Sequence, residues 1–152
     1  RRRQFLKTLS DTTYSVTFPG RFASLAKIAE TTRKAAHDAG LDDYAVYMVE
    51  TAVDEASSNI IEHAYGAEGL GDIEITYQIT AEGLTVLLRD FGKPFDPSQI
   101  PEPELNAHLE DRKSNGLGLF FMRKMMDEVY FEFSSETGNV LTMVKRKEKS
   151  AG

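Results

Sequence analysis

Two pairs of alternating segments constrain the fold of this chain more than any other feature. Within each segment apolar and polar residues alternate, and a short turn with a glycine joins the two members of a pair. This pattern predicts two β-hairpins. The first pairs DIEITYQI (72–79) with LTVLLRD (84–90), and the second pairs VYFEFS (129–134) with NVLTMVKR (139–146). A further alternating segment, TTYSVTF (12–18), predicts a separate strand near the start of the chain.

Helices are predicted between these strands. Residues 21–39 and residues 42 to about 65 carry apolar side chains at three- and four-residue steps, and a glycine follows each stretch. Asp42 is a suitable N-cap for the second of these helices. A third helix is predicted over GLGLFFMRKMMDEV (116–129).

The order of these elements, β-α-α-β-β-loop-α-β-β, predicts an α+β fold. We expect a two-layer sandwich with three helices on one face of a mostly antiparallel or mixed sheet. One domain is expected over residues 12–146, with an N-terminal tail or linker at 1–11 and a C-terminal tail at 147–152. Residues 91–115 are irregular and rich in proline, and a loop of that length is expected to be either functional or mobile.

Composition narrows the possible functions. The net charge of −6 argues against a nucleic-acid partner, and the absence of cysteine excludes disulfides, thiolate metal sites and cysteine nucleophiles. No apolar run approaches the ~18 residues that a membrane-spanning helix needs, and no signal-peptide core precedes the first strand. These features favour a cytoplasmic protein without a membrane segment.

The first candidate site lies in DEASSNIIEHAYG, on the second helix. Glu55 and Asn59 are one turn apart and therefore point the same way, on the shoulder of the apolar stripe. A carboxylate and a carboxamide in that position suit a hard cation such as Mg²⁺, which prefers oxygen ligands. The alternative is an ordinary polar border to the core.

The second candidate is DFGKPFD, directly after an apolar strand. Asp90 at the exit of the strand can accept a hydrogen bond from an amino group such as that of adenine, and Gly92 would let the backbone approach a ligand closely. Phe91 and Phe95 are either pocket wall or core. The stretch could equally be a turn that Asp90 caps.

The third candidate is NGLGL, at the entry to the predicted third helix. Gly116 and Gly118, on either side of Leu117, would expose backbone N–H groups at the positive end of that helix, where a phosphate group can bind. Arg112 lies just upstream, either within reach of a terminal phosphate or in a solvated loop.

Taken in this order and spacing, EASSN, DFGKPFD and GLGL resemble the N, G1 and G2 boxes of the GHKL ATPases. This superfamily includes gyrase B, the catalytic domains of histidine kinases and bacterial anti-sigma serine kinases. The short chain and the NIIEHAYG and GLGLFFMRKMMDEV segments most resemble the anti-sigma factor serine/threonine kinases. The resemblance extends from about Thr12 to Lys145 and implies the ATP-binding architecture known as the Bergerat fold.

This resemblance also implies an activity and the roles of the site residues. The protein would bind ATP and Mg²⁺, sequester a sigma factor as a homodimer, and phosphorylate a serine of an anti-anti-sigma partner. Asn59 would hold Mg²⁺ against the phosphates and Glu55 would be the catalytic base. Asp90 would bind the adenine amino group beside Gly92, and the Gly116–Gly118 turn would contact the phosphates. Ser114 and Asn115 depart from the family pattern, which often has an extra glycine or arginine there.

Three alternatives remain at the level of sequence. The domain could bind nucleotide and partners without phosphorylating them, it could be a histidine-kinase catalytic domain, or it could be an interaction domain without nucleotide. A histidine kinase needs a phosphoacceptor histidine on a helical hairpin, whereas His37 and His108 are expected at the surface. His63, one turn after Asn59, is expected to be a packed core histidine or to lie near the pocket.

Overall fold

The computed structural model describes residues 11–95 and 122–148. The predicted G2 segment and Arg112 lie outside these ranges, as do most of the two predicted tails. The strands and long helices of the described residues are β1 (Thr12–Pro19), α1 (Leu25–Asp38), α2 (Asp43–Asn59), β2 (Asp72–Thr80), β3 (Gly83–Asp90), β4 (Glu128–Ser134) and β5 (Gly138–Arg146).

The described strands form one antiparallel sheet in the order β1-β2-β3-β5-β4. Both predicted hairpins are confirmed, with Thr80 opposite Gly83 in the first and Ser134 opposite Gly138 in the second. The second hairpin joins the first through β5, so that β4 becomes an edge strand. The α+β class predicted from the element order is confirmed.

The core lies between the helices and one face of the sheet. Alternate residues of β2 are buried, and Tyr77 is one of them. Its hydroxyl forms a hydrogen bond of 2.8 Å with the hydroxyl of Thr32 on α1, which is also buried. Burial raises the pKa of Tyr77 to about 12. α1 packs along α2 and also contacts β2 and β3. Burying an aliphatic side chain such as Ile75, which is fully buried, stabilises the fold by about 1.5–3 kcal/mol.

α2 starts as the sequence predicts and ends differently. The Asp42 side chain accepts a hydrogen bond from the Ala45 backbone N–H at 2.8 Å, which confirms the predicted N-cap. The α-helix ends at Asn59, however, and the chain continues as a π-helix over Ile60–Tyr65. Gly66, with a φ of 84°, ends this segment at the predicted glycine. The predicted helix to about residue 65 and its glycine stop are therefore confirmed, but the segment after Asn59 has the π rather than the α form.

The boundaries of the other two predicted helices also differ. α1 begins at Leu25, after a short 3-10 turn over Phe22–Ser24, rather than at residue 21. Residues 122–125 are helical, but Glu128, which the sequence placed in the same helix, begins β4. Val129, which the sequence placed both at the end of that helix and at the start of the strand, also belongs to β4. Their pairing with β5 explains the difference, because the backbone groups that a helix would use are committed to the sheet. Within the described residues, no helix is both long and apolar enough to span a bilayer.

Candidate functional site

A cleft opens where the end of α2, the exit of β3 and the β4–β5 hairpin meet. Its walls are mostly apolar, and three polar side chains, Asn59, Asp90 and Asn139, interrupt them. The described lining residues are Ala56, Asn59, Ile60, Asp90, Phe95, Met122, Phe131, Phe133, Asn139, Val140 and Leu141. The structure thus brings together residues that are far apart in the sequence. Such a combination of apolar walls and a few polar groups is typical of small-molecule sites.

Asp90 is a buried carboxylate in the wall of this cleft. It is the last residue of β3 and lies on the same face of the strand as the core residues Val86 and Leu88. Only 4% of the residue is exposed. Its Oδ1 accepts a hydrogen bond from the Gly92 backbone N–H and another from Asn139 Nδ2, both at 2.9 Å. Burial raises the pKa of Asp90 above its ordinary value, and these hydrogen bonds oppose the increase.

Asn139 is a site residue that the sequence analysis missed. It lies directly opposite Asp90 in the β3–β5 pairing and is 7% exposed. Its Nδ2 donates to Asp90 Oδ1 and also to the Gly92 carbonyl oxygen at 3.1 Å. One signal could have found it, because asparagine is disfavoured in strands and Asn139 stands at the start of an otherwise suitable strand sequence.

Gly92 has a role different from the one that the sequence suggested. A Cβ at this position would lie 2.5 Å from the carbonyl carbon and oxygen of Ala64, so the space beside the α-carbon is filled by the π-helix. The next residue, Lys93, donates its backbone N–H to the same Ala64 oxygen at 2.7 Å. The glycine therefore lets the exit of β3 pack against the π-helix. A glycine is required at this position because the two backbones touch, and not because a ligand approaches it.

Tyr65 is a second residue that the sequence analysis missed. Its hydroxyl donates to the carbonyl oxygen of Asp72 at 2.6 Å and accepts from the backbone N–H of Phe91 at 3.1 Å. Its ring packs so closely against Gly71 that a β-carbon there would overlap it. Tyr65 thus joins the end of the π-helix to the start of β2 and to the residue that follows Asp90.

The aromatic residues near Asp90 divide between the cleft and the surface. Phe95 lines the cleft and also packs against the core, so both of its predicted roles apply. Phe91 is 67% exposed and does not belong to the described lining. His63 is exposed, and its ring lies 5.7 Å from that of Phe95. The expectation of a packed core histidine was wrong, whereas the position near the pocket is confirmed. His37 is exposed, as expected.

Asn59 and Glu55 differ in their relation to the cleft. Both belong to α2, one turn apart, and both are partly buried. Asn59, the last residue of the α-helix, lines the cleft with Asp90, whereas the described lining does not include Glu55. No group of three or more histidines, cysteines or carboxylates able to hold a metal occurs among the described residues. The carboxamide oxygen of Asn59 still fits Mg²⁺, because this ion commonly takes one or two protein ligands together with substrate phosphates and waters.

Comparison with known proteins agrees with this geometry. The sequence profile described as "Histidine kinase-like ATPase domain" matches residues 18–145. A serine-protein kinase RsbW from Bacillus velezensis is 34% identical over 101 residues, which are 64% of this chain and 62% of the relative. An RsbW from Halalkalibacterium halodurans is 28% identical over 137 residues, or 88% of this chain and 82% of the relative.

A solved structure shares the fold. The crystal structure of the RsbU and RsbW domains of a Mycobacterium tuberculosis protein matches with a TM-score of 0.62 and 15% identity. The match covers 92% of this chain but 34% of the crystallised chain. The profile covers the helices, the sheet apart from most of β1, and the cleft described above, and the chain therefore belongs to the histidine kinase-like ATPase domain family.

Proposed function

We propose that this chain binds ATP with Mg²⁺ in the cleft and acts as a protein serine/threonine kinase of the anti-sigma type. One observation carries the proposal. A buried carboxylate, Asp90, stands at the end of an apolar strand, is held by Asn139 and Gly92, and faces a cleft whose other walls are mostly apolar. Burying a charge is costly, so its presence at a cleft is more readily explained by ligand recognition than by stability.

The cleft suits a purine base. Both hydrogen bonds that the described residues make to the side-chain carboxylate of Asp90 use Oδ1, so Oδ2 is assigned to the amino group of adenine. Phe95, Phe131 and Met122 would contact the faces and edges of the ring. A planar base would thereby bury apolar surface on both sides, while the carboxylate selects for a hydrogen-bond donor.

The phosphates would extend toward the end of α2. Asn59 would hold Mg²⁺ there through its carboxamide oxygen, and Glu55, one turn earlier, would accept the proton of the attacking serine hydroxyl. When bound, ATP supplies the γ-phosphoryl group, and ADP is the leaving group. The family resemblance further assigns phosphate contacts to Arg112, Gly116, Leu117 and Gly118, which lie outside the described residues.

The proposed partners are a sigma factor and an anti-anti-sigma protein whose serine is phosphorylated, with the chain acting as a homodimer. The relatives described as serine-protein kinases support the phosphotransfer. A second candidate function uses the same cleft, since a module of this fold could bind nucleotide and partners without phosphorylating them. The observation that favours this second candidate is that Glu55 lies outside the described lining.

Two variants test the proposal. Asp90→Asn should abolish most of the thermal stabilisation by Mg-ATP, because the amide presents a donor where the purine amino group needs an acceptor. Glu55→Ala should keep that stabilisation and lower the rate of partner phosphorylation by about 10²–10⁴-fold, the usual contribution of a general base. Phosphoserine on a candidate partner is measured by mass spectrometry.

A matched control and two contrary results sharpen the test. Asp43→Asn makes the same chemical change at an exposed position in the first turn of α2 and should behave as the unaltered protein. Equal stabilisation of the protein and its Asp90→Asn variant by Mg-ATP would disprove the site. Stabilisation by Mg-ATP without phosphoserine on any partner would favour the module that binds nucleotide without transfer.

A further inference from the structure

The orientation of the Asn139 amide is fixed by its neighbours. Its two hydrogen-bond partners are the Asp90 carboxylate oxygen and the Gly92 carbonyl oxygen, and both can only accept when Asp90 is ionised. The amide nitrogen must therefore face them, and its two hydrogens satisfy them both. The carbonyl end of the same amide, Oδ1, is consequently turned away from these two partners, on a side chain that lines the cleft.

We infer that Asn139 determines base specificity by presenting Oδ1 as a second acceptor for the exocyclic amino group of the purine. The inference rests on the proposed nucleotide site and deepens it. An amino group on the base has two hydrogens, and Asp90 Oδ2 can accept one while Asn139 Oδ1 accepts the other. The two residues are directly opposite each other on neighbouring strands, so their side chains reach the same point of the cleft.

This arrangement makes the part of the cleft beside Asp90 and Asn139 selective in two ways. A base with a carbonyl in place of the amino group would place its oxygen against two acceptors, which is repulsive. A base with a single amino hydrogen would satisfy only one of the two acceptors and leave the other buried without a donor. Leaving a buried polar group unpaired costs more free energy than a weak hydrogen bond contributes. The cleft should therefore bind a base with a full amino group more tightly than either mismatched base.

The test compares ATP with N6-methyl-ATP, whose amino group retains one hydrogen. The protein should bind ATP at least about fivefold more tightly, the loss expected when one buried hydrogen bond is left unmade. In Asn139→Ala the second acceptor is absent and the methyl group gains room, so the two nucleotides should bind with similar affinity. If Asn139 merely positioned Asp90, its removal would weaken both nucleotides alike and the preference would persist. Isothermal titration calorimetry measures the dissociation constants of ATP and of N6-methyl-ATP for each protein.

A control variant and the failing outcomes separate this inference from the proposed function. Thr142→Val changes a hydroxyl on the opposite face of β5 and should keep the full preference for ATP. Equal binding of ATP and N6-methyl-ATP by the unaltered protein overturns the role of Asn139 and leaves the nucleotide site intact. Failure of the unaltered protein to bind ATP at all overturns the proposed function as well. Because the first comparison uses the unaltered protein, it does not depend on the folding of any variant.

Discussion

Replacing Gly92 by alanine tests the contact that holds Asp90 in place. An added β-carbon would lie 2.5 Å from the carbonyl carbon and oxygen of Ala64 and 2.9 Å from its β-carbon. Two of these three atoms are backbone, so no change of side-chain rotamer relieves the overlap. Gly92 is not among the described glycines with positive φ, and the cost therefore comes from steric overlap and not from the backbone conformation of alanine.

The expected loss of stability follows from that geometry. Forcing a methyl group into a filled space usually costs about 1–3 kcal/mol, because the neighbouring segments must move apart. For a chain of this size, 1 kcal/mol changes the melting temperature by about 2–4 °C, so Gly92→Ala should melt about 2–12 °C lower. The displaced segment carries the hydrogen bond from Gly92 to Asp90, so stabilisation by Mg-ATP should also decrease.

Differential scanning fluorimetry with and without Mg-ATP measures both effects. Gly66→Ala is the matched control, because a β-carbon there would meet nothing within 4 Å and only the φ of +84° is unfavourable. It should lower the melting temperature modestly, through about 1–2 kcal/mol of backbone strain, and leave the stabilisation by Mg-ATP unchanged.

A double-mutant cycle would refute the reasoning most directly. Ala64→Gly removes the β-carbon near Gly92 but leaves the backbone atoms that cause the closest overlap. Because that overlap remains, Ala64→Gly should rescue less than about 0.5 kcal/mol of the loss caused by Gly92→Ala, which is the lower end of the coupling measured between residues in contact. Strong rescue of Gly92→Ala by Ala64→Gly would show that the backbone is not the obstacle. A melting temperature equal to that of the unaltered protein would show that the contact is not tight.

Two further predictions concern Asp90 and Tyr65. Since burial raises the pKa of Asp90 in the folded state, the ionised form costs stability at neutral pH, and that cost disappears as the pH falls through the raised pKa. Without nucleotide, the Asp90→Asn variant should therefore have a higher melting temperature than the unaltered protein at neutral pH, and the difference should shrink in mildly acidic buffer. A difference in melting temperature that grows on acidification would contradict the raised pKa of Asp90. Tyr65→Phe removes the hydrogen bonds to Asp72 and Phe91 and should cost about 1 kcal/mol in chemical denaturation, given that Phe91 is exposed to water. Tyr47→Phe, at a tyrosine that is 63% exposed, should cost nothing measurable, and equal losses in the two variants would refute the bridging role of Tyr65.

Much of the fold could be predicted because its signals are local. The period of two in 72–79 and 84–90 and the short turn between them specify a hairpin without reference to the rest of the chain. The Asp42 cap and the Gly66 stop depend on residues within a few positions. The π-helix after Asn59 could not be predicted, since its residues have the apolar spacing of an α-helix. The contacts of Ala64 and Tyr65 with the exit of β3 involve residues far away in the sequence.

The candidate site was predictable in part for the same reason. Asn59 and Asp90 were identified as a polar residue beside a helix stripe and a carboxylate after an apolar strand, and the structure places both in one cleft. Asn139 was missed because nothing near it in the sequence suggests a partner. Gly92 was identified for a different reason from the one that the structure gives, since its neighbour Ala64 lies on another element.

The sequence by itself indicated the five strands and the two long helices of the described residues, and it identified polar residues at positions where a core would have apolar ones. Only the tertiary structure decided that β5 lies between β3 and β4, and this order places Asn139 opposite Asp90. The physical reason is that alternation specifies which face of a strand is buried but not which strand is its neighbour. Neighbours are chosen by the packing of the whole sheet against the helices, and the hydrogen bond from Asn139 to Asp90 results from that choice.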